Sequence, residues 1–419
     1  MKLFRYTGLS LMLCALLCSC AHRGARSGAV HDRSYYEGLY FASLDKTEHI
    51  RSYSLPDPLV FSDGRPVTTL DQWYGERRGE LLELFETEMF GHTPGCMDAT
   101  EAVVVESGLA LDGQAVRKQV KIDFHRDGQY IMVLMYLPAD AEEPSPVFIG
   151  INFEGNASVS DDPAILYPPA EHTADWGDYT PAPRGAQSSR WPLQEIIGRG
   201  YGVVTFHCAD VDPDFDDGFS NGVTRFIFAE GQTSPQADQW GTISAWAWGL
   251  SRVLDYLETD ADVDAHRVAV IGHSRMGKTA LLAGARDERF AMAISNCSGC
   301  CGAALSRRNY GETVESITHL FPHWFCANFS KYAADVDSLP FDQHELLALM
   351  APRPVYVASA EEDAWADPTG ERLALQEARK VYNFLGLDRG LTGYHIHEGP
   401  HGISITDWEF YLDFADLNL

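Results

Sequence analysis

The sequence predicts an α/β protein: a three-layer sandwich with a mostly parallel central sheet and an N-terminal extension. Short apolar runs typical of strands, such as 202–208 and 267–272, alternate with longer segments of helical periodicity, such as 242–258 and 275–286. Such alternation is typical of a parallel sheet with helices on both faces. The 419 residues, 45% of them hydrophobic, are enough to bury a substantial core.

The first structured segments differ from this alternating pattern. Apolar residues from 69 to 89 fall mostly at helical spacing and predict an amphipathic helix that ends before Gly91. Strand-like runs follow at 102–105, 116–124, 130–137 and 146–153, of which the last is continuously apolar and predicts a buried central strand. Residues 155–190 are rich in Pro, Asp and Ser, and we expect them to form an irregular rim around a site.

The remaining chain completes the alternation. Helices are predicted at 193–198, 242–258, 275–286, 370–384 and from 407 onward, and strands at 202–208, 267–272, 290–296, 355–360 and 392–397. No internal repeat and no glycine signature of a nucleotide-binding loop interrupts this order.

The N-terminus is typical of an exported lipoprotein. Lys2 and Arg5 precede the apolar run 9–17, which is too short to remain as a membrane span. The following Leu17-Cys18-Ser19-Cys20 resembles a lipoprotein cleavage box and predicts lipidation at Cys20, with ordinary cleavage near Ala21 as the alternative. We therefore expect a signal peptide at 1–19, a tether and extended lead-in at 20–65, and a single catalytic domain at 66–419, exported and anchored at the periplasmic or outer surface of a bacterial membrane.

The net charge restricts the partners. Sixty Asp and Glu against 32 Lys and Arg leave a formal charge of −28. Such a surface repels nucleic acid and anionic lipid, so we expect no nucleic-acid partner and membrane contact only through the lipid anchor. The oligomeric state is left open, with a monomer favoured.

Cysteine and histidine clusters do not indicate a metal site. Cys297, Cys300 and Cys301 form a C-x-x-C-C group, but no second pair at zinc-finger spacing accompanies them. We expect burial or one disulfide, such as Cys301 with Cys326. His395 and His397 alternate on a strand without a carboxylate motif beside them, so neither a metal nor an organic cofactor is expected.

Ser274 is the candidate nucleophile. It lies between the apolar strand 267–272 and the helix from Arg275, in Gly272-His273-Ser274-Arg275-Met276-Gly277. A sharp strand-to-helix turn exposes the serine hydroxyl and needs small residues around it, which Gly272 and Gly277 supply, although the second glycine comes one position later than in the common G-x-S-x-G motif. This motif predicts the α/β-hydrolase fold. The alternative is a serine that only caps an ordinary helix.

A serine nucleophile needs a histidine base and an orienting acid, which follow it in this order in the α/β-hydrolase fold. His401 lies in a Gly- and Pro-flanked loop between the last strand and the last helix. The loop after strand 355–360 offers Asp363, with Glu361 and Glu362 as competing acids and Asp367 as a helix cap before Pro368.

Taken together, these residues resemble bacterial glucuronoyl esterases of carbohydrate esterase family 15, over most of the chain from about residue 70. The resemblance rests on the segments Gly272–Lys278, Arg307–Thr313, Phe321–Phe325 and Trp365–Pro368, and on the histidine loop. It implies an oxyanion contact from Arg275, and uronic-acid contacts from Lys278, Glu312 and Trp365. Alternatively, Arg275 and Lys278 are surface residues of an early helix turn and Trp365 is a packing residue.

Two departures from the family qualify the resemblance. Fungal members have cysteines after the histidine and before the serine, where this chain has Gly402 and His273. Many members also have a glutamate shortly after the strand that follows the serine, whereas residues 295–299 contain no acid. The second departure gives Asp363 more weight as the triad acid.

The resemblance implies hydrolysis of esters between (4-O-methyl-)glucuronic acid on glucuronoxylan and lignin alcohols, through an acyl-enzyme and without a cofactor. One alternative is an acetyl xylan esterase that uses the same triad. Another is an inactive surface glycan-binding lipoprotein that kept the fold, which is disfavoured because no triad position has been lost.

Overall fold

The computed structural model describes residues 50–93, 101–126, 128–387 and 389–419. The signal peptide, Cys20 and Cys96 lie outside these residues. Within the described part, no helix combines the length and the apolar character that crossing a bilayer requires.

The described residues form one sheet of nine strands in the order β1-β2-β3-β5-β4-β6-β7-β8-β9. The strands are β1 Glu101–Ala110, β2 Ala115–Arg126, β3 Gln129–Pro138, β4 Ser145–Asn152, β5 Gly202–His207, β6 Val263–His273, β7 Met292–Asn296, β8 Val355–Ala360 and β9 Thr392–His397. Pairing is antiparallel from β1 to β5 and parallel from β5 to β9. The predicted mostly parallel sheet is therefore confirmed, with an antiparallel N-terminal edge.

Helices cover both faces of the sheet. They are α1 (residues 70–90, which alternates α- and π-helical turns), α2 Leu193–Gly198, α3 Thr242–Leu257, α4 Arg275–Arg286, α5 Val314–Leu320, α6 Gln343–Ala348, α7 Pro368–Phe384 and α8 Ile405–Asn418. Successive residues of β6 alternate between the two faces: Val268 and Val270 belong to the larger core cluster, and Ala269 and Ile271 to the smaller one. The predicted three-layer fold follows from these two apolar faces.

The lead-in before α1 lies against the domain. Phe61 and Val67 are buried in the larger core cluster, and Val60 forms an isolated antiparallel bridge with Pro66. Arg77 of α1 joins the lead-in to the domain, because its guanidinium donates to the Pro58 carbonyl at 3.1 Å and pairs with buried Glu345 at 3.2 Å.

Cysteine burial is confirmed, but the suggested Cys301–Cys326 disulfide is wrong. Both thiols are free and buried. The Cys326 Sγ lies 3.6 Å from the Thr87 carbonyl of α1, whereas the Cys301 Sγ contacts the Cys300 Sγ at 3.7 Å. The two residues therefore pack in different surroundings.

Candidate active site

Ser274 lies in a strained turn at the end of β6. Its backbone has φ 60° and ψ −128°, a left-handed conformation that non-glycine residues rarely adopt. The turn needs glycines nearby: a Cβ on Gly272 would overlap the Met276 carbonyl, and one on Gly277 would come within 2.9 Å of the Ser298 Cβ. These contacts explain why the turn needs a glycine at 277, one position later than in the common motif. The Met at 276 is tolerated because its side chain is buried in the core.

The amino end of α4 points at this turn. The first helical hydrogen bonds run from the Gly277 and Lys278 amides to the Ser274 carbonyl, at 2.8 and 3.3 Å. The amides at the start of a helix have no partner within the helix, and the helix dipole adds partial positive charge there. The Arg275 backbone N–H is therefore suited to stabilising negative charge that develops next to Ser274.

The structure brings His401 and Asp363 together. The His401 Nδ1 lies 2.6 Å from the Asp363 Oδ2, and Asp363 is 6% exposed. A neutral imidazole that donates Nδ1–H to this carboxylate leaves its Nε2 free to accept a proton. Glu361 and Glu362 are exposed, and their backbone amides donate to the His397 and Gly399 carbonyls at 2.9 and 3.0 Å. Of the three competing acids, Asp363 alone hydrogen-bonds the imidazole.

Cys297 occupies the second possible place for an acid, immediately after β7. Its Sγ, the His401 ring and the Asp363 carboxylate lie within 4.8 Å of one another. Burial, reinforced by the nearby Glu371 carboxylate, raises the pKa of the Cys297 thiol well above its ordinary value. The thiol is therefore neutral and does not supply the negative charge that a triad acid provides.

His273, next to the nucleophile, packs against the candidate base. Its ring centroid is 4.5 Å from that of His401, and its Nδ1 lies 2.6 Å from the Asn296 Oδ1. Burial, with the adjacent His401 as the next cause, holds the pKa of His273 well below its ordinary value. The His273 ring is therefore neutral and packs beside the His401 ring.

Arg275 is held by a set of residues that the sequence did not single out for this role. Its guanidinium pairs with Asp214 and lies over the Trp324 ring, 4.8 Å from the centroid. Asp214 also accepts from the His323 Nε2 at 3.0 Å and from the Trp324 Nε1 at 2.7 Å. Burial acts to raise the pKa of Asp214, but Arg275 and His323 outweigh it and hold the pKa below its ordinary value. Asp214 lies in an acid-rich loop, where no pattern distinguished it from its neighbours.

Lys278 and Glu312 form a buried polar cluster one helical turn beyond Ser274. The Lys278 Nζ donates to the Ser298 and Cys300 carbonyls at 2.6 and 2.5 Å, and lies 3.6 Å from the Glu312 Oε2. The Glu312 amide donates to the Trp365 carbonyl at 2.8 Å. Burial raises the pKa of Glu312, whereas Lys278 and a hydrogen bond from the Trp365 side chain act to lower it. The structure therefore joins three of the residues that the resemblance singled out.

Among the described residues, three groups of side chains have the donor atoms of a metal site. One is Cys297 with Asp363 and His401, a second is His395 with His397 and Asp407, and a third is Glu83 with Glu86 and His92. In the second group the Asp407 Oδ1 lies 2.8 Å from a ring nitrogen of each histidine, while its Oδ2 accepts from Ser404 at the start of α8. In the first group His401 bonds Asp363, whereas the Cys297 Sγ lies 3.7 Å from the Gly402 carbonyl. The hydrogen bonds of Asp407 close the loop that carries His401.

Comparison with known proteins identifies the family. A family model described as "Glucuronyl esterase, fungi" matches residues 188–386. A solved structure titled as a promiscuous CE15 esterase from the marine bacterial metagenome is 46% identical, with a TM-score of 0.79 over 88% of this chain and 98% of that one. The chain belongs to carbohydrate esterase family 15, the glucuronoyl esterases.

Further relatives support this membership and the α/β-hydrolase fold. A glucuronoyl esterase from Solibacter usitatus is 41% identical, with a TM-score of 0.83 over 88% of this chain and 99% of that one. A 4-O-methyl-glucuronoyl methylesterase from Phanerochaete carnosa is 26% identical over 374 residues, which cover 86% of this chain and 80% of the relative. This glucuronoyl esterase is accordingly a carboxylic ester hydrolase, and the family predicted from the sequence motifs is confirmed.

Proposed function

We propose that this protein hydrolyses esters of (4-O-methyl-)glucuronic acid on glucuronoxylan, as in lignin–carbohydrate cross-links, through an acyl-enzyme on Ser274. The observation that carries the proposal is the buried Lys278–Glu312 cluster beside Trp365, one helical turn from the serine. The Glu312 carboxylate, which Lys278 holds in place, suits the hydroxyls of a sugar, and the aromatic face of Trp365 suits its ring. An acetyl group has no atoms that would use these contacts.

The proposed reaction assigns one role to each of the three residues of the triad. The Ser274 Oγ attacks the ester carbonyl while the His401 Nε2 takes its proton, and Asp363 stabilises the imidazolium that results. The Arg275 backbone N–H, with its guanidinium held nearby by Asp214, stabilises the oxyanion. His401 then gives its proton to the departing alcohol. Water, deprotonated by His401, attacks the acyl carbon, and the serine leaves with the proton returned to it.

The test compares benzyl glucuronate with an aryl acetate, using the wild type and Ser274→Ala. We expect the uronate ester to have the higher kcat/KM, and Ser274→Ala to lower kcat by about 10⁵ to 10⁶-fold. Ser330→Ala, which removes an exposed hydroxyl that donates to the nearby Ala327 carbonyl at 2.8 Å, is the matched control and should keep full activity. Preference for the acetate would favour an acetyl xylan esterase, and binding without hydrolysis of either ester would favour a glycan-binding protein.

We also propose that the protein is exported and lipid-anchored at Cys20. The charged start, the short apolar run 9–17 and the Leu17-Cys18-Ser19-Cys20 box support this. In cells given an alkyne-tagged fatty acid, the wild type and Cys18→Ala should carry the label and Cys20→Ala should not. Label retained by Cys20→Ala would refute lipidation at this residue.

A further inference from the structure

A cluster of two histidines and one aspartate lies at the end of β9, where the loop that carries His401 begins. His395 and His397 are two residues apart on the strand and therefore share one face of the sheet. Asp407, in the first turn of α8, reaches them from the other end of the loop. Its Oδ1 lies 2.8 Å from the His395 Nε2 and 2.8 Å from the His397 Nδ1. Each of the three side chains thus directs one donor atom toward the other two.

The remaining polar atom of each side chain is bonded outside the cluster. The His395 Nδ1 lies 3.0 Å from the Tyr356 hydroxyl, and the His397 Nε2 lies 3.4 Å from the Pro400 carbonyl. The Asp407 Oδ2 accepts from the amide and the hydroxyl at the start of α8, at 2.7 and 2.8 Å. Histidines and carboxylates that bind metal ions are typically bonded in this way, because the outer bonds fix the orientation of the ligands.

The contact with Pro400 determines which atoms face each other inside the cluster. A carbonyl oxygen only accepts, so in this contact the His397 Nε2 carries the hydrogen. The Nδ1 of the neutral ring then presents a lone pair to the Asp407 Oδ1, which also presents only lone pairs. Two such acceptors 2.8 Å apart repel each other unless a cation lies between them. That cation is either a proton on His397 or a metal ion bound by the cluster.

The chemistry of the three donor atoms matches that of zinc. Two imidazole nitrogens and one carboxylate oxygen are ligands of Zn²⁺, whereas Mg²⁺ and Ca²⁺ prefer oxygen ligands. A tetrahedral zinc ion about 2.1 Å from its ligands holds them about 3.4 Å apart, so the three side chains need to separate by only a few tenths of an ångström each. Asp407 is fully buried and His395 is 7% exposed, so the site leaves room for little more than a water molecule as the fourth ligand.

We propose that the His395 Nε2, the His397 Nδ1 and the Asp407 Oδ1 bind one zinc ion. The ion joins the end of β9 to the first turn of α8 and so closes the base of the loop that carries His401. Its role is structural and does not depend on which ester the enzyme hydrolyses. The sequence pattern did not indicate this site, because Asp407 lies 10 residues beyond His397 and belongs to no local motif with it.

The test measures zinc binding by the purified protein, produced without a polyhistidine tag and stripped of metal with EDTA. Titration calorimetry with ZnCl₂ should give one ion per wild-type chain, and saturating zinc should raise the Tm by about 3 °C. His397→Gln removes a ligand and should weaken zinc binding by about 100-fold or more. Tyr356→Phe keeps all three ligands but removes the hydroxyl beside the His395 Nδ1, and should weaken binding by about 10-fold. His266→Gln removes an exposed histidine and should change neither the affinity nor the Tm.

Three outcomes would overturn the inference. Absence of zinc binding by the wild type would leave a proton on His397 as the cation, and zinc binding that His397→Gln retains would place the ion elsewhere. Loss of binding in His92→Gln or in Cys297→Ser would place it in one of the other two groups. Circular dichroism in EDTA verifies that His397→Gln is folded, and Tyr356→Phe tests the same site with every ligand present. None of these measurements uses an ester, so failure of this inference leaves the proposed function unchanged.

Discussion

Asp363→Asn tests the assignment of the triad acid. Asp363 is 6% exposed, and its carboxylate lies 2.6 Å from the His401 Nδ1. The substitution keeps the size of the side chain but removes the negative charge that stabilises the imidazolium formed when Ser274 attacks. It also offers an amide N–H to Nδ1, which favours the tautomer that cannot accept the serine proton.

The magnitude follows from this geometry. Two unit charges about 4 Å apart interact by about 4 kcal/mol at an effective dielectric constant of about 20, which corresponds to about 10³-fold in rate. The wrong tautomer adds to this loss, so we expect kcat for a glucuronate ester to fall by about 10³ to 10⁴-fold. Cys297 cannot compensate, because burial raises the pKa of its thiol well above the ordinary value and keeps it neutral.

The assay is steady-state hydrolysis of benzyl glucuronate by the wild type, Asp363→Asn, Glu361→Gln and Glu362→Gln. Glu361 and Glu362 are exposed acids on the same loop, so their substitution should change kcat less than 2-fold. Circular dichroism and thermal melting would verify that Asp363→Asn is folded. A near-normal kcat for folded Asp363→Asn, or a large loss in either glutamine variant, would refute the assignment.

Two further predictions concern charges around the site. Burial raises the pKa of Glu371 to about 8 from an ordinary value of 4.5. Between these two pH values Glu371 is protonated in the folded chain and ionised in the unfolded chain. The free energy of unfolding therefore falls as the pH rises through this window. In urea denaturation, Glu371→Gln should therefore gain stability relative to wild type as the pH is raised from 5 to 8, whereas the control Glu377→Gln on the same helix should not. A difference in unfolding free energy between Glu371→Gln and wild type that does not change with pH would contradict this prediction. Asp214→Asn leaves the Arg275 guanidinium without its carboxylate and should lower the free energy of unfolding by about 3–5 kcal/mol. The double variant with Arg275→Gln should recover part of this loss. If the double variant is as unstable as the sum of the two single variants, the pairing contributes nothing to stability.

Much of the fold followed from periodicity alone, because most strands and helices bury one continuous apolar face. Strand β8 and helix α2 have the predicted bounds, and β6 is longer than predicted by residues 263–266 at its start and by His273 at its end. The segment between β7 and β8 was not assigned, yet it contains α5 and α6. Both helices are too short to show a clear helical period. Helix α6 is also buried along its whole length, and Asp342 and Glu345 form its capping box inside the core.

A local motif was enough to predict the role of one residue near the site, whereas a residue positioned by tertiary contacts was missed. The cap role predicted for Asp367 is confirmed, since its side chain accepts from the Gly370 amide and Pro368 begins the helix. Asp214 was missed because its partners Arg275 and His323 are 61 and 109 residues away in the chain.

The base and its acid are fixed relative to each other by the sheet itself. Strands β8 and β9 are parallel neighbours, so the loops that follow them leave the same edge of the sheet. The amides of Glu361 and Glu362 bond the chain that leads to His401, and Asp407 joins that chain to α8 through Ser404. Both loops are therefore anchored on each side of the His401–Asp363 contact, so an acid that follows β8 can hold the histidine although the Cys297 thiol, which follows β7, is buried and neutral.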